Sequence, residues 1–332
     1  MNFLPGTIFA VLLGLLAGAA SAEVTLLNAS YDVARDVYKD FNPLFQKHWK
    51  AKTGETVEIK QSHGGSTKQV RAVADGLEAD VVTMNQANDI EFLADKGLVT
   101  KDWTKKFPNN ASPYTSAMVF IVRKGNPKGI KDWNDLVAPG TQIIIPHPKN
   151  TGNGRNTYLS AWAWALRQPG GNDQKAQEFL GKLLKNAPLF AAGGRDATTT
   201  FMQRKMGDVL VTFESEAELI AKEFGKGEFE VVYPSLTMQT EFPVALVEKV
   251  VDKKGTRTQA SAYLEYLWSK EGQENAAQNY LRPRDPELLK KYAHFFPPVK
   301  TFTVDEVFGG ANKAFATHFK DGGTFDQIYQ SK

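Results

Sequence analysis

Glycines and hydroxyl-bearing residues stand directly before a helical pattern at residues 61–69. Gly64, Gly65 and Ser66 come first, and apolar residues recur at helix spacing from Val70 onward. The first turn of a helix has unpartnered backbone N–H groups and partial positive charge, and glycine lets a ligand approach the backbone. This order of residue types favours an anion site. The same pattern is also typical of an ordinary turn with a helix cap.

Three further loops repeat this arrangement between an apolar strand pattern and a helical pattern. They contain Asp32, then Thr151, Gly152 and Asn153, and finally Gly194. Ligands bind at the carboxyl ends of strands in open α/β sheets, so we expect the four loops to lie together. Several helix starts that meet at one point form an anion site without a basic side chain. The alternative is that these are only the glycines and caps that strand-to-helix turns need.

The sequence lacks the motifs of the common enzyme classes. It has no G-x-S-x-G elbow and no phosphate-binding P-loop, and residues 151–156 contain only the first two glycines of a dinucleotide fingerprint. The five histidines have no metal-ligand spacing. His63 is the one histidine inside a glycine-rich loop, and we interpret it as neutral and hydrogen-bonded to the backbone, with proton transfer as the alternative. We expect no catalytic residue, no cofactor and no metal site.

Composition sets the class of protein. The chain has 332 residues, 42% of them hydrophobic, which is enough to bury the cores of two domains. Forty basic residues are interleaved with 37 acidic ones, for a net charge of +3, and this argues against a nucleic-acid partner. The absence of cysteine excludes disulfides and thiolate metal sites.

The N-terminus has the features of a secretory signal. Residues 1–22 contain no charged side chain, and an apolar run at 8–20 ends in Ala20, Ser21 and Ala22. A short apolar run before small residues predicts a signal peptide at 1–22 that is cleaved after Ala22, and the run is too short to span a membrane. We therefore expect an exported protein of the periplasm.

Strand and helix patterns alternate, which predicts an α/β fold with mostly parallel sheets. Apolar strand patterns lie at 24–27, 57–60, 80–84, 117–122, 143–145 and 209–213. From about residue 260 the chain is mainly helical in pattern. Asp32 is placed to cap the helix that follows it. Glu214 and Glu216 are interpreted as first-turn acids that favour the helix dipole, and Trp162 as a core residue.

Several segments together resemble the periplasmic sulfate- and thiosulfate-binding proteins of ABC transporters. They are 30–32 (SYD), 61–66 (QSHGGS), 113–116 (PYTS), 122–128 (VRKGNPK), 132–136 (DWNDL), 305–310 (DEVFGG) and 322–326 (GGTFD). The resemblance covers essentially the whole chain after the signal peptide. It implies the type II periplasmic binding protein fold, an α/β architecture with two lobes, a mixed and mostly parallel sheet in each, and a ligand cleft between them.

The same resemblance implies which residues bind the anion. In that family uncharged donors at helix starts hold it, and here they would be the backbone N–H of Asp32, the hydroxyl and backbone of Ser66, the hydroxyl of Thr151, and the backbone N–H groups of Gly152, Asn153 and Gly194.

One departure from the family pattern concerns the choice of anion. Sulfate-specific members have a tryptophan whose indole N–H donates to sulfate, whereas this chain has Phe213. Segments 82–86, 193–195, 198–201, 213–216 and 241–245 resemble the thiosulfate-binding branch more closely. The outer sulfur of thiosulfate accepts weakly, so an apolar ring beside it loses little. We expect thiosulfate to be tolerated at least as well as sulfate, with Asn85 and Gln86 as alternative donors.

The resemblance also implies domains and partners. Lobe I would comprise 23–107 plus 242–332 and lobe II 108–241, with hinges near 113–116 and 238–243. The closed form, as a monomer, would deliver sulfate or thiosulfate to an ABC permease of the inner membrane. The alternatives are a binding protein for another tetrahedral oxyanion, such as molybdate or phosphate, and a periplasmic enzyme acting on sulfated or phosphorylated substrates.

Overall fold

Strands and helices alternate along most of the chain, as the apolar patterns predict. The computed structural model describes residues 24–225 and 227–330, so the predicted signal peptide lies outside the described residues. The strands are β1 (Val24–Tyr31), β2 (Val57–Gly64), β3 (Val81–Thr83), β4 (Tyr114–Arg123), β5 (Ile143–Pro146), β6 (Phe190–Ala191), β7 (Val209–Phe213), β8 (Phe229–Val232), β9 (Thr237–Glu241), β10 (Val244–Leu246), β11 (Arg282–Pro283) and β12 (Thr301–Phe302).

Helices follow most of these strands and then dominate the last third of the chain. They are α1 (Arg35–Thr53), α2 (Ser66–Ala74), α3 (Ala87–Asp95), α4 (Pro108–Ala111), α5 (Gly152–Leu166), α6 (Asp173–Lys185), α7 (Gly194–Met202), α8 (Glu214–Phe224), α9 (Glu248–Lys254), α10 (Arg257–Glu265), α11 (Lys270–Gln278), α12 (Pro286–Lys291), α13 (Val304–Phe308), α14 (Ala311–His318) and α15 (Thr324–Gln330).

The first sheet has the strand order β10-β3-β1-β2. β1 runs parallel to β2 and β3, and β10 runs antiparallel to β3. Helices α1 and α10 pack beside this sheet through aromatic residues, with the rings of Phe41 and Phe45 edge-on to Tyr263 at 5.3 and 5.2 Å between centroids. All three side chains are fully buried. Burial of such large apolar groups is the main source of stability for this half.

The second sheet is mixed rather than mostly parallel. Its strands follow the order β12-β9-β4-β7-β5-β6, and β8 and β11 also pair with β4. β5 is parallel to both of its neighbours, β6 and β7. β4 is antiparallel to β7, β8, β9 and β11. The predicted two-sheet α/β architecture is present, and its mostly parallel character holds for the first sheet.

The chain crosses between the two sheets before β4 and again between β9 and β10. Just before the first crossing, Asn109, Asn110 and Ala111 have φ angles of 55, 55 and 58°, so α4 is a single left-handed turn. The two crossings are joined directly, because the backbone N–H of Phe242 donates to Oγ of Ser112 at 2.9 Å. The segments that the family resemblance implies as hinges, 113–116 and 238–243, overlap these crossings, and their hinge role stays a prediction.

The C-terminal segment contacts both halves. β11 and β12 pair within the second sheet, α14 packs on α3, and α15 packs on α6. Nζ of Lys149 in the second half bonds Asp321 at 2.8 Å and Asp326 at 2.9 Å. The predicted division into lobe I (23–107 plus 242–332) and lobe II (108–241) stays a prediction. β11 and β12 depart from this division, because the prediction assigns them to lobe I and they pair with strands of the second sheet. Below, lobe I and lobe II denote the halves built on the first and second sheets.

Candidate anion site between the two lobes

Parallel pairing places the four predicted loops side by side. In lobe I, Tyr31 at the end of β1 lies beside Gly64 at the end of β2, so the loops that follow both strands begin at the same edge of the sheet. In lobe II, Pro146 at the end of β5 lies beside Ala191 at the end of β6. Helices α2, α5 and α7 begin after these loops at Ser66, Gly152 and Gly194. The carboxyl edges of the two sheets thus present their loops to each other across the cleft.

Close approach between the lobes explains two of the glycines. A Cβ atom on Gly152 would lie 1.9 Å from Oδ1 of Asn85, which follows β3 in lobe I. A Cβ atom on Gly194 would lie 2.9 Å from Cγ1 of Val33 in lobe I and 3.5 Å from Nδ2 of Asn153. The 1.9 Å distance to Asn85 is far shorter than a van der Waals contact, and the 2.9 Å distance to Val33 is also too short for two carbon atoms. The structure therefore brings the starts of α5 and α7 against lobe I in a closed arrangement.

Asp32 contacts the start of α7 from across the cleft. Its Oδ2 accepts from the backbone N–H of Arg195 at 3.3 Å. Burial raises the pKa of Asp32, and hydrogen bonds from backbone N–H groups, among them those of Arg195 and Gly194, oppose this shift. The expectation that Asp32 caps the next helix was wrong, since α1 begins after Ala34 without a side-chain cap. The helix that attracts this carboxylate belongs to the other lobe.

Ser66 keeps its hydroxyl available. It begins α2 and is 1% exposed, and its Oγ lies 3.4 Å from Sδ of Met84. A thioether is a weak acceptor, so this contact holds the hydroxyl in place without satisfying it. His63, two residues before the Gly65 cap, has a pKa lowered mainly by burial, which favours the neutral imidazole expected from sequence. Its Nδ1 is buried without a partner among the described residues, so the expected hydrogen bond to the backbone stays a prediction.

The Thr151 hydroxyl is occupied by hydrogen bonds within its own loop. The Thr151 hydroxyl donates to the carbonyl of His147 at 3.0 Å and accepts from the backbone N–H of Gly154 at 3.0 Å. This caps α5, and the hydroxyl proton is committed to the His147 carbonyl. Nδ2 of Asn153 donates to Oγ1 of Thr212 at 3.0 Å, while its Oδ1 is buried without a partner among the described residues. A donor role for the Thr151 hydroxyl stays a prediction.

Phe213 belongs to an aromatic wall that the sequence does not reveal. It ends β7, is fully buried, and its ring meets that of Phe242 edge-on at 5.5 Å between centroids. Phe242 in turn stacks on Tyr31 at 5.2 Å. Tyr31 precedes Asp32 directly, so this wall of Phe213, Phe242 and Tyr31 runs beside the loops from lobe II to lobe I. Neither phenylalanine has a hydrogen-bond donor in its side chain.

A buried ion pair joins the lobes next to the loops. Nη1 of Arg155 in α5 lies 3.1 Å from Oδ1 of Asp89 in α3, and the two side chains are 2% and 3% exposed. Nη2 of Arg155 also donates to Oγ1 of Thr67 at 2.9 Å, and Thr67 donates to Asp89 at 3.1 Å. The sequence analysis missed this set, although Thr67 and Arg155 directly follow the predicted loops. Its net charge is zero, so it adds no net charge to an anion site.

Amides complete the contact between α3 and α5. Nε2 of Gln86 donates to the carbonyl of Gly152 at 3.3 Å and to Oδ1 of Asn156 at 2.5 Å. Asn85 packs against Gly152, as described above, and its Oδ1 has no partner among the described residues. Asn85 and Gln86, which the sequence analysis names as alternative donors, therefore both lie at the cleft.

The predicted site residues lie in a mostly buried part of the structure. Of the predicted residues, Ser66, Thr151, Gly152, Asn153, Gly194 and Phe213 are all buried, and Asp32 is partly so. Across residues 24–225 and 227–330, no cluster of three or more His, Cys, Asp or Glu side chains is placed to hold a metal ion. In that same part of the chain, no helix is both long and apolar enough to cross a membrane. What converges is a set of helix starts and hydroxyls, which suits an anion.

Comparison with known proteins fits this geometry. A family model described as "Bacterial extracellular solute-binding protein" matches residues 26–282. The chain belongs to this family. It is 62% identical over 315 residues to a thiosulfate-binding protein of Pseudomonas aeruginosa, with 95% of both chains covered. It is 52% identical over 306 residues to a sulfate-binding protein of Escherichia coli, with 92% of this chain and 93% of the other covered.

A solved structure supports the same placement. The sulfate-binding protein SubI from Mycobacterium tuberculosis H37Rv matches with a TM-score of 0.80 and 31% identity, covering 90% of this chain and all of that one. The chain has the type II periplasmic binding protein fold, as predicted. Membership in this family makes it a solute-binding protein and not an enzyme.

Proposed function

We propose that this chain captures sulfate and/or thiosulfate and delivers it to an ABC permease of the inner membrane. The observation that carries the proposal is the convergence of the Asp32 loop with the starts of α2, α5 and α7 where the two lobes meet, among buried residues. The names of its relatives, thiosulfate-binding and sulfate-binding proteins, give the class of anion.

The proposed donors are backbone N–H groups and hydroxyls. The backbone N–H groups come from Asp32, Ser66, Gly152, Asn153 and Gly194, and a hydroxyl comes from Ser66. The Thr151 hydroxyl would join them by turning its proton from the His147 carbonyl, to which it donates at 3.0 Å, towards the anion. Helix starts supply partial positive charge that needs no counterion, so a dianion is held without a buried cation of its own. In this account the Arg155–Asp89 ion pair, whose two charges cancel, stabilises the closed arrangement and does not contact the anion.

We further propose that thiosulfate binds at least as well as sulfate. Phe213 takes the place of a donor in this account, and Phe242 packs behind it, so one face of the site is apolar. A sulfate oxygen facing that wall would lack a hydrogen bond, whereas the outer sulfur of thiosulfate loses little there.

The protein would act in the periplasm as a monomer, and the permease would recognise its closed form. The proposed hinges are residues 113–116 and 238–243, and the change of sheet between β9 and β10 along the chain supports this choice. Opening at these crossings would separate Gly152 from Asn85 and Gly194 from Val33, which frees the anion.

A thermal shift panel of sulfate, thiosulfate, molybdate and phosphate tests the proposal. A ligand at 100 times its dissociation constant stabilises by about 2.7 kcal/mol, which is a clear shift in Tm. We expect sulfate and thiosulfate to raise Tm most. A larger shift with molybdate or phosphate would transfer the proposal to another oxyanion, and turnover of a sulfate or phosphate ester would favour an enzyme instead.

A further inference from the structure

Asn85 carries a buried side-chain amide whose oxygen is left unpaired. The residue follows β3 in lobe I and is 3% exposed. Its Oδ1 is buried and has no hydrogen-bond partner among the described residues. A polar group that is removed from water without a hydrogen bond costs free energy, and most buried polar groups in folded proteins avoid this cost. A ligand that binds beside the amide would supply the missing partner.

The amide of Asn85 lies at the N-terminal end of α5. A Cβ atom on Gly152, the first residue of α5, would lie 1.9 Å from Oδ1 of Asn85 and 2.6 Å from its Cγ. The amide oxygen is therefore within about 3.5 Å of the Gly152 Cα. In a helix the bond from Cα to Cβ tilts towards the N-terminus. The Asn85 amide thus lies on the side to which the free N–H groups of the first turn of α5 point.

The chain around Asn85 is held against two of the proposed donors. The backbone N–H of Met84 donates to the carbonyl of Pro243 at 2.8 Å, which fixes the end of β3. Sδ of Met84 lies 3.4 Å from Oγ of Ser66 at the start of α2. Met84 and Asn85 therefore connect Ser66 in lobe I with Gly152 in lobe II, and the backbone N–H groups of both are proposed to bind the anion.

The neighbouring amide, that of Gln86, is already occupied. Its Nε2 donates to the carbonyl of Gly152 at 3.3 Å and to Oδ1 of Asn156 at 2.5 Å. The amide of Asn85 is different, because a half-turn about its last torsion exchanges Oδ1 with Nδ2 and breaks no hydrogen bond of Oδ1. A dianion beside this amide favours the orientation that presents Nδ2, since hydrogen bonds to a charged acceptor are the stronger ones.

We propose that the side-chain amide of Asn85 donates a hydrogen bond to the bound anion from lobe I. The inference rests on the proposed function and adds one residue to its site. In that function the outer sulfur of thiosulfate faces Phe213, so the oxygens face the helix starts, that of Gly152 among them. Asn85 therefore donates to an oxygen that sulfate and thiosulfate both carry. Like the other proposed donors, it has no charge.

Titration calorimetry of the full mature chain at pH 7 tests this, with sulfate and thiosulfate as ligands. Asn85→Leu keeps a side chain that branches at Cγ but has no donor, and Asn85→Ala removes the amide without filling its space. Loss of a hydrogen bond to a charged ligand should lower the affinity of both variants for both anions by about tenfold or more. The ratio of the two affinities should change by less than about threefold.

Asn88→Leu is the matched control. Asn88 is an amide in the first turn of α3, and its Oδ1 lies 3.4 Å from Nη1 of Arg155, which is long for a hydrogen bond. This variant removes an amide close to the cleft without removing a proposed donor. We expect its affinity for both anions to stay within about threefold of that of wild type.

Each outcome of the titrations decides between a donor and a packing residue. Wild-type affinity in Asn85→Leu would show that the side chain only fills space and would overturn the inference. A change of more than about threefold in the ratio of affinities in both variants would place Asn85 at the outer sulfur, which contradicts the assigned position. If Asn85→Leu does not fold, Asn85→Ala decides, and unchanged affinity there overturns the inference.

Failure of this inference is distinguishable from failure of the proposed function. If wild type binds both anions and the Asn85 variants bind them equally well, Asn85 is not a donor and the function stands. If wild type binds neither anion, the function fails and the role of Asn85 falls with it.

Discussion

Arg155 and Asp89 form an ion pair at 3.1 Å that is almost fully removed from water and joins the two lobes. Opening of the cleft returns both charges to solvent, and closing has to pair them again. Their geometry therefore ties the closed arrangement to one particular register of α5 against α3.

Removing one partner of this pair should weaken binding. Asp89→Asn leaves the Arg155 guanidinium buried without a counter-charge, which costs several kcal/mol when the lobes close. We expect the affinity for thiosulfate to fall at least about tenfold by calorimetry. Asp36→Asn is the matched control, since it breaks a pair across the same cleft that is more than one-third exposed. That control should change the affinity by less than about threefold. Equal effects of the two variants would contradict the role assigned to the buried pair.

A methyl group at Gly152 should hold the cleft open. Its Cβ would lie 1.9 Å from Oδ1 of Asn85, so Gly152→Ala forces the lobes apart. The affinity for both anions should fall at least about tenfold while the folded state persists. Gly181→Ala in α6 serves as control, because its Cβ would lie 3.7 Å from Ile328 of α15, which is an ordinary van der Waals contact. We expect Gly181→Ala to leave the affinity for both anions unchanged and to increase the free energy of unfolding by about 0.5–1 kcal/mol, because alanine is more favourable than glycine inside a helix. Unimpaired binding by Gly152→Ala would show that the closed contact is dispensable.

The aromatic wall should set the choice between anions. Phe213→Trp adds an indole N–H at a position that now has no donor, so the preference should move towards sulfate. A competition assay of the two anions measures the ratio of their affinities directly. Phe213→Leu changes the size of the side chain without adding a donor and should not raise the share of sulfate. If Phe213→Trp leaves the ratio unchanged, Phe213 contributes packing only.

Acid should destabilise the protein through His318. This residue of α14 packs edge-on to Trp162 at 4.5 Å, and burial lowers its pKa to about 4. The folded state requires the neutral imidazole, so the contribution is complete above pH 6.5 and is lost as pH falls towards 4. Between pH 7 and pH 4.5 wild type should lose about 2.5 kcal/mol more than His318→Gln in urea unfolding. His294→Gln, at an exposed position, should behave as wild type. Parallel losses in wild type and His318→Gln would contradict this.

Local patterns predicted the loops of the site well. Glycine and hydroxyl residues before helical repeats are local signals, and they indicated the loops from which α2, α5 and α7 start. The structure begins these helices at Ser66, Gly152 and Gly194. Trp162, interpreted as core, is 4% exposed. The family resemblance contributed what local signals do not contain: the two-lobed fold and the class of ligand.

The missed features all depend on contacts between distant parts of the chain. Asp89 and Arg155 are 66 positions apart, and nothing local marks either as a partner of the other. Asp32 was assigned to the nearest helix, whereas its carboxylate lies at a helix start in the other lobe. Glu216 has the position of an ordinary first-turn acid, yet its side chain is buried, with 1% exposed. Such contacts follow from tertiary packing, which overrides local preference.

The most direct test of the central claim is a calorimetric titration of the mature protein with thiosulfate and with sulfate at pH 7. The account predicts saturable binding of one anion per chain, with competition between the two for a single site and thiosulfate at least as tight as sulfate. Absence of heat and of saturation with both anions, under conditions where the protein is folded, would contradict it.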